Sequence, residues 1–282
     1  MATLIGANDS SPIEDAQNIK NACKGLGTDE ATLISILAHR NVSERKLVRE
    51  AYEEIYHEDL IQQLKSELSG SFQRGICNWT MDPAERDAAF IKETLKKDVH
   101  TNSYTSIALK KMWPPKQWEI FVEYEGEEFD ETLAHLEANI LHEAIEKKAF
   151  NDDEIIRILC TRSKKQLFAT FSTFRNTYGT TITKGLSSDA SDGYMVTLRT
   201  IIRCIKNPRR YLAKVLGYAL NDLVAEENAL SRVIITRAEK DLNEISDLYF
   251  KRNGVTLHNS VAKKTSGNYK TFLLALLGKN SV

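Results

Sequence analysis

The sequence predicts an all-α protein assembled from repeated helical subdomains, and three observations carry that prediction. Three segments align on a basic anchor, Ile36-Leu37-Ala38-His39-Arg40, Ile158-Leu159-Cys160-Thr161-Arg162 and Ile234-Ile235-Thr236-Arg237. After each arginine, aromatic residues recur at +12 and +32 (Tyr52 and Phe72, Phe174 and Tyr194, Tyr249 and Tyr269) and aliphatic residues at +20 and +24. A repeat near 75 residues is too long for a solenoid turn and implies a repeated helical subdomain. Apolar residues fall at helical spacing, and with five prolines and no alternating stretch there is little room for a sheet.

Taken in order, the first unit shows helical stripes at Leu33-Ile36-Leu37 and Leu47-Ala51-Ile55, and the third at Ile155-Ile158-Leu159. Thr28-Asp29-Glu30, Ser43-Glu44 and Asn151-Asp152-Asp153 supply capping or acidic residues for first turns. Asp82-Pro83 starts another helix with proline in its first position. The anchors then expose an irregularity. Arg162 and Arg237 are 75 residues apart, but Arg40 and Arg162 only 122, where two periods would span 150. About 28 residues are therefore missing from a second unit. Its first helix is legible from Asp82-Pro83-Ala84-Glu85-Arg86-Asp87, and a second is expected over 104–111. Trp113-Pro114-Pro115 stops any helix there, because proline has no N–H and crowds the preceding turn. Apolar faces left open by the missing helices leave partial disorder, self-association or a variant transcript as readings, with Trp113, Trp118, Ile120 and Phe121 available as cover.

A chain of 282 residues with 42% hydrophobic and 27% charged residues can bury a core. The net charge of -1 gives no basic field for nucleic acid, and no nucleic-acid partner is expected. The first twelve residues have neither a basic start nor an apolar run, so no signal peptide is expected. No stretch approaches the roughly 18 apolar residues of a membrane span, so any membrane contact lies on the surface. Cys23, Cys77, Cys160 and Cys204 form no Cys-x-x-Cys pair and read as reduced thiols of a cytosolic protein.

One motif carries chemistry. Lys24-Gly25-Leu26-Gly27-Thr28 lies between two amphipathic helices, and Glu67 follows 39 positions after the threonine. Backbone carbonyls with one acidic side chain can hold a hard cation such as calcium, which takes six to eight oxygens at adaptable angles. The last carbonyls of a helix lack intrahelical partners and carry partial negative charge, and glycines can turn them inward.

The Lys-Gly-Leu-Gly-Thr-Asp-Glu loop, the arginine-anchored repeats and Leu64-Lys65-Ser66-Glu67-Leu68-Ser69-Gly70 resemble an annexin. Asp82-Pro83-Ala84-Glu85-Arg86-Asp87, Tyr124-Glu125-Gly126-Glu127-Glu128 and Tyr249-Phe250-Lys251-Arg252-Asn253 resemble the plant branch of that family. The resemblance covers nearly the whole chain except about residues 98–122. It implies four repeats of five helices in a curved disc, with the second repeat truncated. The divisions are a tail over 1–12, repeat 1 over 13–80, shortened repeat 2 over 82–123, an acidic linker over 124–129, repeat 3 over 130–205 and repeat 4 over 207–280. The family binds acidic phospholipids reversibly and in a calcium-dependent way. By that resemblance the carbonyls of Cys23, Gly25 and Gly27 and a bidentate Glu67 are the calcium ligands, and Thr28 caps the following helix. About five oxygens and one formal charge make a weak site, toward the 10⁻⁴–10⁻³ M end of calcium modules. A lipid phosphate completing the shell would strengthen calcium binding and, by linkage, be strengthened by it. Leu26 at the loop tip is placed to dip into the interface. The expected protein is non-enzymatic, cytoplasmic and peripheral on the cytosolic face of membranes. The alternative is a calcium-independent helical adapter linking membrane or cytoskeleton, with actin as partner.

The other repeats depart from the pattern. Repeat 3 has Lys147-Lys148-Ala149-Phe150 at the loop, with Asp189 at the carboxylate position. Repeat 4 has Asn221-Asp222-Leu223-Val224-Ala225, with Lys264 in place of Glu67. One calcium site per chain is expected, and Lys263-Lys264 read as a solvated face. Plant annexins have been discussed as peroxidase-like through a histidine near His39, as actin-binding through a tripeptide like Ile156-Arg157-Ile158, and as GTP-binding. His39 reads instead as a helix-end histidine and the two isoleucines as core. No Gly-x-x-x-x-Gly-Lys-Ser/Thr loop is present. Arg40, Arg162 and Arg237 read as a buried ion pair or helix-end bond within each unit.

Overall fold

The computed structural model describes residues 11–25, 27–98, 129–147, 153–186, 193–221 and 225–278. The expected helix over 104–111, the stop at 113–115 and the linker stretch 124–128 lie outside those residues. All regular structure among the described residues is helical, with no strand. Repeat 1 supplies α1 (Pro12–Ala22), α2 (Glu30–Leu37), α3 (Val42–Tyr56), α4 (Leu60–Glu67) and α5 (Gly70–Thr80). Repeat 2 supplies α6 (Pro83–Asp98). Repeat 3 gives α7 (Glu131–Glu146), α8 (Asp153–Thr161), α9 (Lys164–Tyr178), α10 (Ile182–Gly185) and α11 (Gly193–Lys206). Repeat 4 gives α12 (Pro208–Asn221), α13 (Glu227–Arg237), α14 (Leu242–Asn253), α15 (Leu257–Lys264) and α16 (Gly267–Leu277).

The helices start where local chemistry says they should. Ser11 caps α1 with Pro12 in the first turn. Asn41 and Glu44 form a reciprocal capping box on α3, two residues before the expected Ser43. Asp82 accepts from Ala84 N–H at the start of α6. The third helix of each complete repeat ends in a left-handed residue, and the three are equivalent by anchor spacing: His57 (φ 55), Gly179 (φ 64) and Gly254 (φ 72).

The chain divides into two compact units, 1–91 with 209–282, and 92–208. In the first, repeats 1 and 4 share one apolar core. α5 and α2 pack against α16, and α5 against α13. Phe72 meets Phe272 edge to face with centroids 6.2 Å apart. Gly75 sits so close to Phe272 that a β-carbon there would lie 3.2 Å from the ring. Repeat 3 has its own core of Leu141, Ile158, Leu159, Phe171, Phe174 and Leu198, with α7 packed along α9.

Each anchor arginine makes an ion pair, with one change of wiring. Arg40 binds Asp15 in bidentate fashion (2.7 and 2.9 Å), and Arg162 pairs with Glu137, both partners standing 25 residues upstream. The equivalent position in repeat 4 is Leu212. Arg237 turns instead to Asp241 (2.7 and 2.6 Å), which Arg209 also reaches at 2.9 Å.

The stripe expected on α3 needs correction. Leu47 and Ile55 are half-exposed, and the buried face carries Arg45, Val48 and Tyr52, with Ala51 shared by both readings. A charged residue takes the inward position because its two terminal guanidinium nitrogens find partners there, while its buried Nε finds none among the described residues. The Arg45 guanidinium stacks 3.7 Å from the Trp79 ring centroid and donates to the Arg40 carbonyl and to both oxygens of Glu239 in repeat 4. Glu239 Oε1 also accepts from Val42 N–H at 2.6 Å, so repeat 4 caps a helix of repeat 1.

Candidate functional site

Helix α1 ends at Ala22, and Cys23 is its C-cap, where the fate of the orphan carbonyls is decided. Lys24 N–H returns to the Asn21 carbonyl (3.1 Å) and Asp29 N–H to the Ala22 carbonyl (2.8 Å), which closes the loop. Between them Gly25 and Gly27 adopt φ of 99° and 107°, a region L side chains rarely occupy. Among the described residues nothing donates a hydrogen bond to the carbonyl oxygens of Cys23, Gly25 or Gly27. Backbone carbonyls in a short turn are donors of the kind a hard cation takes. Leu26 lies outside the described residues.

Glu67 is the last residue of α4 and is half-buried. Its Oε2 accepts from Thr28 Oγ at 3.3 Å and its Oε1 from Gln63 Nε2 at 3.0 Å. The carboxylate is thus brought to the Thr28 end of the loop across 39 positions of sequence. Burial, and secondarily the charge of Glu67, push the Cys23 thiol up to about 11, so it stays protonated at neutral pH. Glu67 also lines a polar cavity of about 350 Å³ with Glu30, Ser69, Ser71, Glu227 and Tyr269.

One expectation fails at this corner. Thr28 does not cap α2; Asp29 does, accepting from Thr32 N–H at 3.0 Å. Both residue types are good caps, and Asp29 wins because it directly precedes Glu30 and adds a charge at the positive end of the helix. That frees the Thr28 hydroxyl for Glu67. Sequence reasoning missed Gln63, whose only signal is its i,i+4 spacing to Glu67 on one helix.

The other candidates are dispersed. His39 is exposed, with Nδ1 3.1 Å from the Ser35 carbonyl. Arg157 pairs with Glu154 (2.6 Å) and Ile158 is fully buried. Residues 148–150 and 222–224 and Asp189 lie outside the described residues. Among the described residues no cluster of three or more His, Cys, Asp or Glu side chains is suited to a metal, and no helix is long and apolar enough to cross a membrane.

Comparison with known proteins matches the repeat spacing. The annexin family model fits residues 14–79, 136–201 and 211–276, three segments that start 122 and 75 residues apart. Annexin-like protein RJ4 of Fragaria ananassa is 42% identical over 314 aligned positions, covering 99% of each chain. Annexin D7 of Arabidopsis thaliana is 39% identical over the same length and coverage. Those alignments exceed this chain's 282 residues by 32 positions, so at least that many positions of each relative have no counterpart here. Among solved structures, annexin III superposes with a TM-score of 0.84 at 28% identity, over 99% of this chain and 98% of that one. Annexins are known as calcium-dependent phospholipid-binding proteins. Family match, full-length relatives and shared fold agree, and the chain is a member of the annexin family.

Proposed function

We propose that this protein binds acidic phospholipid membranes reversibly, as a peripheral and non-enzymatic protein, through one calcium site in repeat 1. The carbonyls of Cys23, Gly25 and Gly27 and the Glu67 carboxylate would hold the ion. Calcium there supplies the positive charge that a chain of net charge -1 lacks toward a lipid phosphate. The observation that supports this reading is the Thr28–Glu67 hydrogen bond, which ties the α4 carboxylate to a loop whose glycines take positive φ. Glycines at φ near 100° present the carbonyls, and the adjoining polar cavity leaves room for water or phosphate oxygens to complete the shell. Repeat 4 replaces the carboxylate by Lys264 and repeat 3 lacks the glycines, so binding follows a single calcium event rather than a cooperative one.

The test is sedimentation of phosphatidylserine vesicles across a calcium titration, with the wild type beside Glu67→Gln. Removing the one formal charge is expected to abolish binding at calcium concentrations that saturate the wild type, with an unchanged thermal melt. Equal sedimentation with and without calcium would overturn the proposal in favour of a calcium-independent adapter.

A further inference from the structure

Resting on that reading of the site, we infer that Thr28 and Gln63 are positioning residues that preset Glu67 for its ligand before the ligand arrives. Coordination through both carboxylate oxygens requires both to face the loop. Here each oxygen is held by its own donor, Oε1 by the Gln63 amide on the same helix and Oε2 by the Thr28 hydroxyl on the loop. A carboxylate offers about four lone-pair sites, so one hydrogen bond to each oxygen fixes its orientation and leaves others open. Outer partners of this kind orient metal ligands in general. The corner beneath Glu67 is fixed as well: Gln73 Nε2 donates to the Lys65 and Leu68 carbonyls at 2.7 and 2.8 Å, tying the end of α4 to α5.

The protein contains its own controls. Counting from the anchor arginines, the positions of Thr28, Gln63 and Gln73 hold Phe150, Gly185 and Met195 in repeat 3, and Ala225, Ser260 and Lys270 in repeat 4. Neither repeat has a threonine at the Thr28 position or a glutamine at the Gln63 position. Ser260 instead donates to the Thr256 carbonyl within its own helix. Gln63 could be an ordinary surface i,i+4 partner, but its neighbour Gln62 is exposed and has no such bond, whereas Gln63 is half-buried against the carboxylate. Repeat 4 lacks all three together with the acid, and repeat 3 lacks all three although Asp189 stands at the carboxylate position, so the shared five-helix frame does not require them.

The experiment uses the full chain and two readouts. In calcium-free protein, Thr28→Val should speed hydrogen exchange of the Asp29 amide, which closes the loop onto Ala22, by about threefold to tenfold, the weight of one long hydrogen bond to the carboxylate. In calcium titrations with phosphatidylserine vesicles, Gln63→Met should raise the half-maximal calcium concentration about tenfold. Thr28→Val should raise it about threefold, as befits its longer bond, and Thr28→Ser should restore it. Gln62→Met is the neighbouring control and should titrate as wild type. If Glu67→Gln abolishes the calcium response while Gln63→Met and Thr28→Val match the wild type in both readouts, the positioning role is overturned and the site stands. If Glu67→Gln also has no effect, the site itself is refuted and the positioning role with it.

Discussion

Repeats 1 and 4 are built on one frame and differ at one corner. In both, an N–H at the start of the second helix closes the inter-helix loop onto the first, Asp29 to Ala22 at 2.8 Å and Glu226 to Ala219 at 2.9 Å. Both second helices carry an acidic N-cap. Both fifth helices follow a serine and begin at a glycine of positive φ, Gly70 (65°) and Gly267 (59°), with Phe72 and Tyr269 two residues on. Yet where repeat 1 has Gly25, Gly27 and Glu67, repeat 4 has Asp222, Val224 and Lys264. Frame and site are thus encoded by different residues. The frame depends on apolar spacing, caps and turns that repeats 1 and 4 both keep, while the site depends on Gly25, Gly27 and Glu67, which lie outside the buried core and are free to diverge.

The largest effect is expected where the two repeats depend on each other. Phe272 is fully buried against Phe72, and it is the ring that approaches Gly75. Phe272→Ala should cost about 3–5 kcal/mol, the usual loss for truncating a buried aromatic, measured by denaturant unfolding. If the repeats were independent subdomains, the loss would appear only in a transition of repeat 4. A shared core predicts that Trp79 fluorescence, reporting on repeat 1, shifts by the same amount.

Much of the frame was readable in advance, and the failures have causes. The anchors located the three units that the family model also matches, because spacing survives where residues change. The stripe on α2 was correct, with Leu33, Ile36 and Leu37 all buried. The stripe on α3 was not, because periodicity of apolar residues has no way to place Arg45 inside. Its partner Glu239 lies 194 residues away, and only the fold brings that charge near. The glycines and Glu67 were legible as candidate ligands, whereas Gln63 was invisible until the carboxylate was seen to face the loop. Thr28 was misassigned because sequence cannot choose between two adjacent good caps.

The ion pairs give a middle-sized effect and a pH signature. Repeat 1 supplies Asp15 to its anchor arginine from the first helix; repeat 4 uses Asp241 and adds Arg209. Burial pushes the Asp241 carboxyl up, but hydrogen bonds from Arg237 and Arg209 and their charges outweigh it and hold the group below its ordinary value. A depressed folded pKa means that the charged form stabilises the fold. The contribution is fully present above the unfolded value near 4 and is lost as pH falls through the lower folded one. Asp241→Asn should therefore destabilise at pH 7, and the gap between mutant and wild type should narrow as pH falls below about 4. A gap independent of pH between 2 and 7 would assign the effect to packing.

The smallest expected effect comes from the turn after the third helix, where the repeats differ by one residue. Gly179 and Gly254 end α9 and α14 in the left-handed region at no steric cost, and repeat 1 places His57 there at φ 55. An L residue in that region costs roughly 1–2 kcal/mol, partly offset because glycine loses more freedom on folding. The His57 side chain is exposed, so little packing is lost with it. His57→Gly should then stabilise by about 0.5–1 kcal/mol, a melting shift of about 1–4 °C for a unit of this size. The converse change, Gly254→Ala, should destabilise by a comparable amount. Because His57 lies between α3 and α4, on the approach to Glu67 but away from the loop, the stabilised variant should keep the wild-type calcium titration. A gain in stability accompanied by a shifted titration would mean that strain at this turn is transmitted to the carboxylate, and that frame and site are less separable than the comparison of repeats 1 and 4 implies.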